Sequence, residues 1–254
     1  MNKPDVQMFG LSFNASTLGE AAQMVIAAAE QKKKGLVVTP NVDHIVMMDR
    51  DREMKVHYQK AMFRFADGMP LIWFSKIFMK QSLPERVTGA DLLPAIALLA
   101  DEKEMRLFFL GGQDGVAARA AKELQKSSPG LQIAGVYCPP FGFEHDACES
   151  TKIVNMINQS GSDILFIGVG APKQEKWAAR HLEQLEVGPI LGVGAAFDFA
   201  AGTVKRAPLF FQRMGMEWLW RLIKEPRRLC YRYVIQDSRF IFLICKQLWN
   251  TRSQ

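Results

Sequence analysis

The chain has 254 residues, of which 48% are hydrophobic and 23% charged. This length suits one large α/β domain or a domain with an appendage, and the composition excludes a mainly disordered, collagen-like or coiled-coil chain. The formal net charge is +6, but residues 203–254 contain 11 Lys and Arg against three Asp and Glu. The preceding residues carry a net charge of −2. We therefore expect an anionic partner to meet the C-terminal segment.

Targeting and metal-binding signals are missing from the sequence. The first ten residues lack the apolar stretch of a signal peptide. The longest uncharged apolar run of the C-terminal segment, Phe240–Cys245, is far shorter than the roughly 20 residues that span a bilayer. The four cysteines form no CxxC pair and, with four histidines, give neither a zinc signature nor a disulfide framework. We expect a cytoplasmic protein with no bound metal and no cofactor.

Six short apolar runs predict strands, most of them followed by a loop and a helical stretch. In chain order they are Gly35–Thr39, Phe63–Ala66, Arg106–Leu110, Leu131–Tyr137, Asp163–Val169 and Pro189–Val193. Helices are predicted over 42–62, over 116–125 and from 174 to about 185. Strands that alternate with helices predict an α/β fold, with a mainly parallel sheet and helices on both faces.

The sequence changes character at about residue 202, where basic and aromatic residues begin to dominate. Pro226 should end or kink one helix, and Phe240–Trp249 is compatible with another. We therefore predict a catalytic core over 1–201 and a helical appendage over 202–254. The appendage suits nucleic acid, an anionic membrane surface, or packing on its own core. Its tryptophans and phenylalanines favour the membrane.

In parallel α/β sheets, ligands bind beyond the carboxyl ends of the strands. Here those ends carry Thr39–Asn41, Asp67–Gly68, Gly111–Gly112, Gly170–Gln174 and Gly194–Asp198. We take this set as the candidate site.

Each member of the set also has a purely structural interpretation. Gly111 and Gly112 suit a nucleotide phosphate or a tight turn, and the chain has neither a dinucleotide fingerprint nor a Walker A loop. Asp67 suits a general base or an Asx-turn. Thr39 and Asn41 suit ligand binding or helix capping.

Other polar residues are equally open to two interpretations. Lys173 and Gln174 suit a ligand contact or simple exposure. Asp49 and Asp51 form a DxD pattern inside a predicted helix, where two positions correspond to about 200° of rotation. Their carboxylates should then point to opposite sides, so we interpret them as solvated charges and not as a metal site.

Nine motifs, taken together, identify a family resemblance. They are TPNVDH (39–44), ADGMP (66–70), ERVTGAD (85–91), FLGG (109–112), PPFG (139–142), GVGAPKQE (168–175), GVGAAFD (192–198), VKRAP (204–208) and EWLWRLIKEPRR (217–228). In this order, and over nearly the whole chain, they resemble the WecG/TagA/CpsF family of bacterial glycosyltransferases.

The resemblance implies a Rossmann-like α/β core with a C-terminal helical appendage that helps to form the site and meets the membrane. It implies inverting, metal-independent transfer of a sugar, often N-acetylmannosamine, from a UDP-sugar donor to a polyprenyl-diphosphate-linked sugar acceptor. The products feed teichoic acid linkage units, common antigen or exopolysaccharide. It places the enzyme at the inner face of the cell membrane, and a homo-oligomer stays an open alternative.

The resemblance also assigns roles to individual residues. The catalytic aspartate falls on Asp67, with Thr39 and Asn41 beside it in the active site. The residues expected to bind substrate are Arg86, Gly111, Gly112, Lys173, Gln174, Asp198, Arg221, Arg228 and, less directly matched, Arg232.

Two alternatives stay open at this point. The first keeps the family but uses UDP-glucose or another UDP-hexose for exopolysaccharide. The second is a non-enzymatic Rossmann-like protein that binds nucleic acid. The near-neutral core and the clustered polar strand ends count against the second alternative, so we expect no nucleic-acid partner.

Overall fold

The computed structural model describes residues 5–208, 210–211, 220, 222 and 239–252. A six-stranded sheet lies at its centre, with the strand order β4-β3-β8-β7-β5-β6 and every pairing parallel. The strands are β3 (Gly35–Val38), β4 (Phe63–Arg64), β5 (Arg106–Gly111), β6 (Gln132–Tyr137), β7 (Ile164–Gly168) and β8 (Pro189–Gly192). All six predicted strands are confirmed, and with them the α/β fold class.

Helices cover both faces of the sheet, which is why the central strands are apolar throughout. One face packs against α1 (Leu18–Glu30), α5 (Gly89–Glu102), α6 (Val116–Ser127) and α9 (Ala196–Ala200). The other packs against α2 (Val42–Arg50), α3 (Arg52–Lys60), α4 (Met69–Phe78), α7 (Ala147–Ser160), α8 (Lys173–His181) and the C-terminal α10 (Arg239–Arg252). A short 3₁₀ helix, Phe143–His145, precedes α7.

The helix predicted over 42–62 is in fact two helices, because the chain leaves helical geometry at Asp51. Asp51 ends α2 and caps α3, accepting a hydrogen bond from the Met54 amide at 3.0 Å. Asp49 pairs with Arg239 at 2.5 Å, and Asp51 pairs with Lys176 at 2.6 Å. The interpretation of the two aspartates as solvated charges is therefore wrong.

An antiparallel hairpin, β1 (Val6–Met8) and β2 (Leu11–Phe13), precedes the sheet and was not predicted. Phe9 at its tip lies against Phe74 of α4 and Phe240 of α10, with ring centroids 4.7 and 5.2 Å apart. The predicted helix over 240–249 is confirmed by α10. Among the described residues, no helix is both long and apolar enough to cross a bilayer. The domain boundary at residue 202 stays a prediction, since most of 209–238 lies outside the described residues.

Candidate active site

The chain changes direction across the sheet between the neighbouring strands β5 and β7. After β5 it enters α6 on one face, and after β7 it enters α8 on the other. Two loops that diverge in this way leave a crevice at the carboxyl ends of the strands, which is where ligands bind in doubly wound folds.

The structure brings Thr39, Asn41 and Asp67 together at one edge of the sheet. They follow β3 and β4, which pair directly, and the Asp67 amide donates to the Pro40 carbonyl at 2.9 Å. A Cβ placed on Gly68 would lie 3.9 Å from Cβ of Asn41. The Asn41 side chain accepts a hydrogen bond from the His44 amide at 3.1 Å, so it does cap α2.

Arg86 lies near Asp67 because its neighbour Val87 is bonded to the residue before Asp67. The Val87 amide donates to the Ala66 carbonyl at 2.9 Å. The Arg86 guanidinium Nη2 lies 3.8 Å from Oδ2 of Asp91. Asp91 also accepts two hydrogen bonds from Arg206, at 2.5 and 3.0 Å.

Sequence reasoning did not assign a role to Asp91 or Arg206, although both lie in motifs that carry the family resemblance. Burial would raise the pKa of Asp91. The hydrogen bonds and charge of Arg206, the Thr88 hydroxyl and the charge of Arg86 outweigh that effect and hold the pKa below its usual value.

Gly111 and Gly112 bring two strand ends into close contact. Gly111 has φ +107°, and a Cβ there would lie 2.8 Å from the backbone of Gly168. The Gly112 amide donates to the Gly168 carbonyl at 2.9 Å. That N–H group is therefore bonded within the protein, as in a tight turn. The expectation that Gly111 and Gly112 bind substrate stays a prediction.

Four helices begin at the carboxyl edge of the sheet without a side-chain cap: α4, α6, α8 and α9. They follow β4, β5, β7 and β8, whereas α2 and α7, which follow β3 and β6, each have a side-chain cap. Amide groups at a helix N-terminus carry partial positive charge and bind anions. This edge therefore suits an anionic ligand.

Gln174 is 3% exposed and joins the turns that follow β7 and β8. Its Oε1 accepts from the amides of Gly170 and Gly194, at 3.1 and 3.2 Å. Lys173 instead points toward the β6 side of the sheet, where its Nζ lies 3.0 Å from Glu144 and 4.5 Å from the ring centroid of Phe141. The two neighbouring residues thus have different surroundings.

Asp198 lies in α9, just after the end of β8, and is partly buried. Its backbone carbonyl accepts from the Thr203 amide at 3.0 Å, which closes the turn after the helix. Arg221, Arg228 and Arg232 lie outside the described residues. Within the described ranges, no group of three or more His, Cys, Asp or Glu side chains is arranged to hold a metal ion.

Two buried polar residues of the site were missed: Glu175, 2% exposed, and Tyr58, fully buried. Burial raises the pKa of Glu175 and raises that of Tyr58 well above its usual value. Neither residue stands out in the sequence, since Glu175 lies in the charged run Lys173–Lys176 and looks like a surface residue.

The fold and the site define an α/β protein whose parallel strands end at an edge that suits an anionic ligand. The chain belongs to the glycosyl transferase WecG/TagA/CpsF family, whose sequence profile matches residues 6–254, and it is therefore a glycosyltransferase. It is 29% identical over 217 residues to the N-acetylglucosaminyldiphosphoundecaprenol N-acetyl-beta-D-mannosaminyltransferase of Bacillus spizizenii. That match covers 85% of this chain and 81% of the relative. The resemblance drawn from the motifs is confirmed.

Proposed function

We propose that this glycosyltransferase moves N-acetylmannosamine from UDP to a saccharide linked to polyprenyl diphosphate, in the synthesis of a cell-surface polysaccharide. The name of the Bacillus relative gives this sugar and a lipid-diphosphate acceptor for that protein. Within this chain, one observation carries the proposal: Asp67 and Asn41 lie together at adjacent strand ends, on the edge where four uncapped helices begin.

The proposed reaction is a single displacement with inversion at the anomeric carbon. The acceptor hydroxyl oxygen bonds to that carbon while the carbon–oxygen bond to UDP breaks. The carboxylate of Asp67 takes the hydroxyl proton, and UDP leaves with the bonding electrons. The hydrogen bond from the Asp67 amide to Pro40 supports this role, because it fixes the backbone of the base beside Asn41.

The negative charge that develops on UDP needs nearby positive groups. We propose that the N-termini of α6 and α8 supply part of it. Arg86 and the appendage residues Arg221, Arg228 and Arg232 would supply the rest, since a guanidinium binds phosphate oxygens through two hydrogen bonds. Transfer would then need no divalent cation. The DxD carboxylates do not argue for one, because Asp49 and Asp51 are already paired with Arg239 and Lys176.

A screen of donors tests the proposal. The protein would be incubated in EDTA with a short-chain lipid diphosphate sugar and, in turn, UDP-N-acetylmannosamine, UDP-N-acetylglucosamine, UDP-glucose and UDP-galactose. We expect a mass gain of the acceptor with UDP-N-acetylmannosamine. A gain only with UDP-glucose would favour the exopolysaccharide alternative and overturn the donor assignment. Transfer that appears only after a divalent cation is added would overturn metal independence.

The lipid acceptor requires a surface that meets the membrane, and we propose that α4 and α10 form it. Trp73, Ile77 and Phe78 of α4 are 45–70% exposed. On α10, Ile241, Phe242 and Trp249 are 59–76% exposed. Phe9 contacts both helices, and exposed lysines lie beside the apolar residues on each.

Amphipathic surfaces of this composition bind at the boundary between lipid headgroups and acyl chains, and lysines add attraction to anionic lipid. The sequence predicted membrane contact only for the appendage over 202–254, whereas α4 belongs to the predicted catalytic core over 1–201. The proposed location is therefore peripheral, on the inner face of the cell membrane, where a polyprenyl-linked acceptor would be reached.

A further inference from the structure

A chain of hydrogen bonds joins three strand ends of the site through side chains that the proposed displacement does not use. It starts at Gln174, whose Oε1 accepts from the amides of Gly170 and Gly194. Its Nε2 donates to Oε1 of Glu175 at 2.8 Å. The pair packs closely on β8, since a Cβ on Gly192 would lie 2.7 Å from Gln174 Nε2 and 3.0 Å from Glu175 Oε1.

Glu175 is the branch point of this chain of hydrogen bonds. The same Oε1 atom accepts from the hydroxyl of Tyr58 at 3.2 Å, while Oε2 is buried and has no hydrogen-bond partner in the described part of the chain. A buried carboxylate without a cation is costly, so the neutral acid is favoured, and burial accordingly raises the pKa of Glu175. Both hydrogen bonds reach the same oxygen of Glu175, so this one atom links Gln174 to Tyr58.

Tyr58 carries the connection to the third strand end. Its hydroxyl lies 3.2 Å from Nδ1 of His44, in the first turn of α2. This contact is within hydrogen-bond distance, and its direction follows the tautomer of the imidazole. The His44 amide in turn donates to the side chain of Asn41.

We propose that Glu175 is a positioning residue for sugar transfer: it holds Gln174 and Tyr58 so that the turns after β7 and β8 keep a fixed place relative to Asn41. The role rests on the proposed function, since it concerns the same site. Glu175 is buried and does not reach the substrate. It acts through the two side chains that it binds, and its loss shifts the strand ends relative to one another.

Three variants separate positioning from simple packing. Glu175→Leu keeps the volume but removes both hydrogen bonds, and we expect kcat to fall roughly ten- to a hundredfold, because misplacing reacting groups by about 1 Å costs about that much. Glu175→Gln keeps an acceptor oxygen at the same position, and we expect kcat within about threefold of wild type, less than the effect of one ordinary hydrogen bond. Tyr58→Phe removes one hydroxyl and should lower kcat in the same direction as Glu175→Leu.

A matched control removes a different buried hydrogen bond of α8, the one that its Trp177 makes to α7. Ser150→Ala removes the buried hydroxyl that accepts from Trp177 Nε1 at 3.1 Å, a contact between α7 and α8 that is not part of the hydrogen-bonded chain through Glu175. This variant should lower the thermal midpoint and leave kcat unchanged. The KM for the donor should stay within about threefold in all four proteins, since none of the changed groups contacts it.

The outcomes are distinct. A folded Glu175→Leu protein with wild-type kcat, or an equal fall of kcat in Ser150→Ala, would overturn the positioning role. If Glu175→Leu does not fold, the Tyr58→Phe protein is the deciding variant. A lower kcat with an unchanged KM supports the positioning role, and a wild-type kcat overturns it. Absence of transfer by the wild-type chain with every donor would instead overturn the proposed function, and the positioning role with it.

Discussion

Arg206 binds Asp91 through both arms of its guanidinium, with Nη1–Oδ1 and Nη2–Oδ2 distances of 2.5 and 3.0 Å. Their side chains are 22% and 24% exposed, so the pair is largely shielded from solvent. It ties the segment after α9 to the first turn of α5. Two parallel hydrogen bonds between ions are stronger than a neutral pair and fix the angle at which the chain leaves the core.

Breaking this pair should destabilise the fold. We expect Asp91→Asn to lower the free energy of unfolding by about 2 kcal/mol, because it leaves a partly buried guanidinium without its counter-charge. Urea unfolding at pH 7 measures the change. Lys103→Met removes an ion pair with Glu30 whose side chains are about half exposed, and should destabilise the protein much less than Asp91→Asn. Equal urea midpoints for Asp91→Asn and wild type would show that the Asp91–Arg206 pair does not stabilise the fold.

Acid should weaken the contact between α3 and α8. Hydrogen bonds from Lys176 and Arg180 lower the pKa of Glu53 from its ordinary 4.5 to about 2. A carboxyl whose pKa is lowered by folding stabilises the protein above its unfolded pKa, and this contribution is lost as the pH falls from about 4.5 through about 2. The Glu53 side chain is 42% exposed, so solvent screening limits the effect to less than about 1 kcal/mol.

Thermal midpoints of wild type and Glu53→Gln, measured from pH 7 to pH 2, test this dependence. The wild type should be the more stable protein at pH 7, and the difference should shrink to nothing near pH 2. A difference that stays constant across this range would show that the charge of Glu53 is not responsible.

Replacing the proposed base should separate catalysis from binding. Asp67→Asn keeps the size of the side chain but removes the proton acceptor, so we expect kcat to fall about 100- to 10,000-fold. UDP affinity, measured by calorimetry, should stay within about threefold. Asp101→Asn, at the opposite end of the sheet on α5, serves as the control and should keep full activity. Near-normal turnover by Asp67→Asn would exclude Asp67 as the base.

Charges placed on the exposed face of α4 should weaken membrane binding. Trp73→Glu with Ile77→Glu removes two exposed apolar side chains and repels anionic lipid, so the protein should no longer float with anionic liposomes. Leu98→Glu changes a residue that is 51% exposed on α5, which packs on the opposite face of the sheet, and should leave flotation unchanged. Flotation of the double variant at the wild-type level would show that α4 is not part of the membrane-binding surface.

The strands and the position of the site were predictable because local patterns encode them. Each strand of the sheet is a short apolar run that ends in Gly, Pro or Asp, and parallel strands bring those ends to one edge. The hairpin was missed because its two strands have three residues each, too few to show a pattern. The break at Asp51 was missed because the following residues also suit a helix, and only the capping bond to Met54 reveals the new start.

The contacts that hold the site together were not predictable from spacing along the chain. Asp91 and Arg206 are 115 positions apart, and nothing local indicates that they pair. Gln174 and Glu175 look like surface residues because polar side chains are usually exposed, yet each is almost fully buried. Their burial depends on hydrogen bonds to two loops and to Tyr58 of α3, which only the folded chain brings within reach.

Sugar transfer itself is the most direct test of the proposed function, and it is monitored by the mass of the lipid acceptor. Wild-type protein would be incubated with UDP-N-acetylmannosamine and a short-chain N-acetylglucosaminyl lipid diphosphate in EDTA, beside Asp67→Asn. We expect a gain of one N-acetylhexosamine with the wild type and almost none with the variant. An acceptor of unchanged mass in both reactions, from a protein that also fails to bind UDP, would contradict the proposed function.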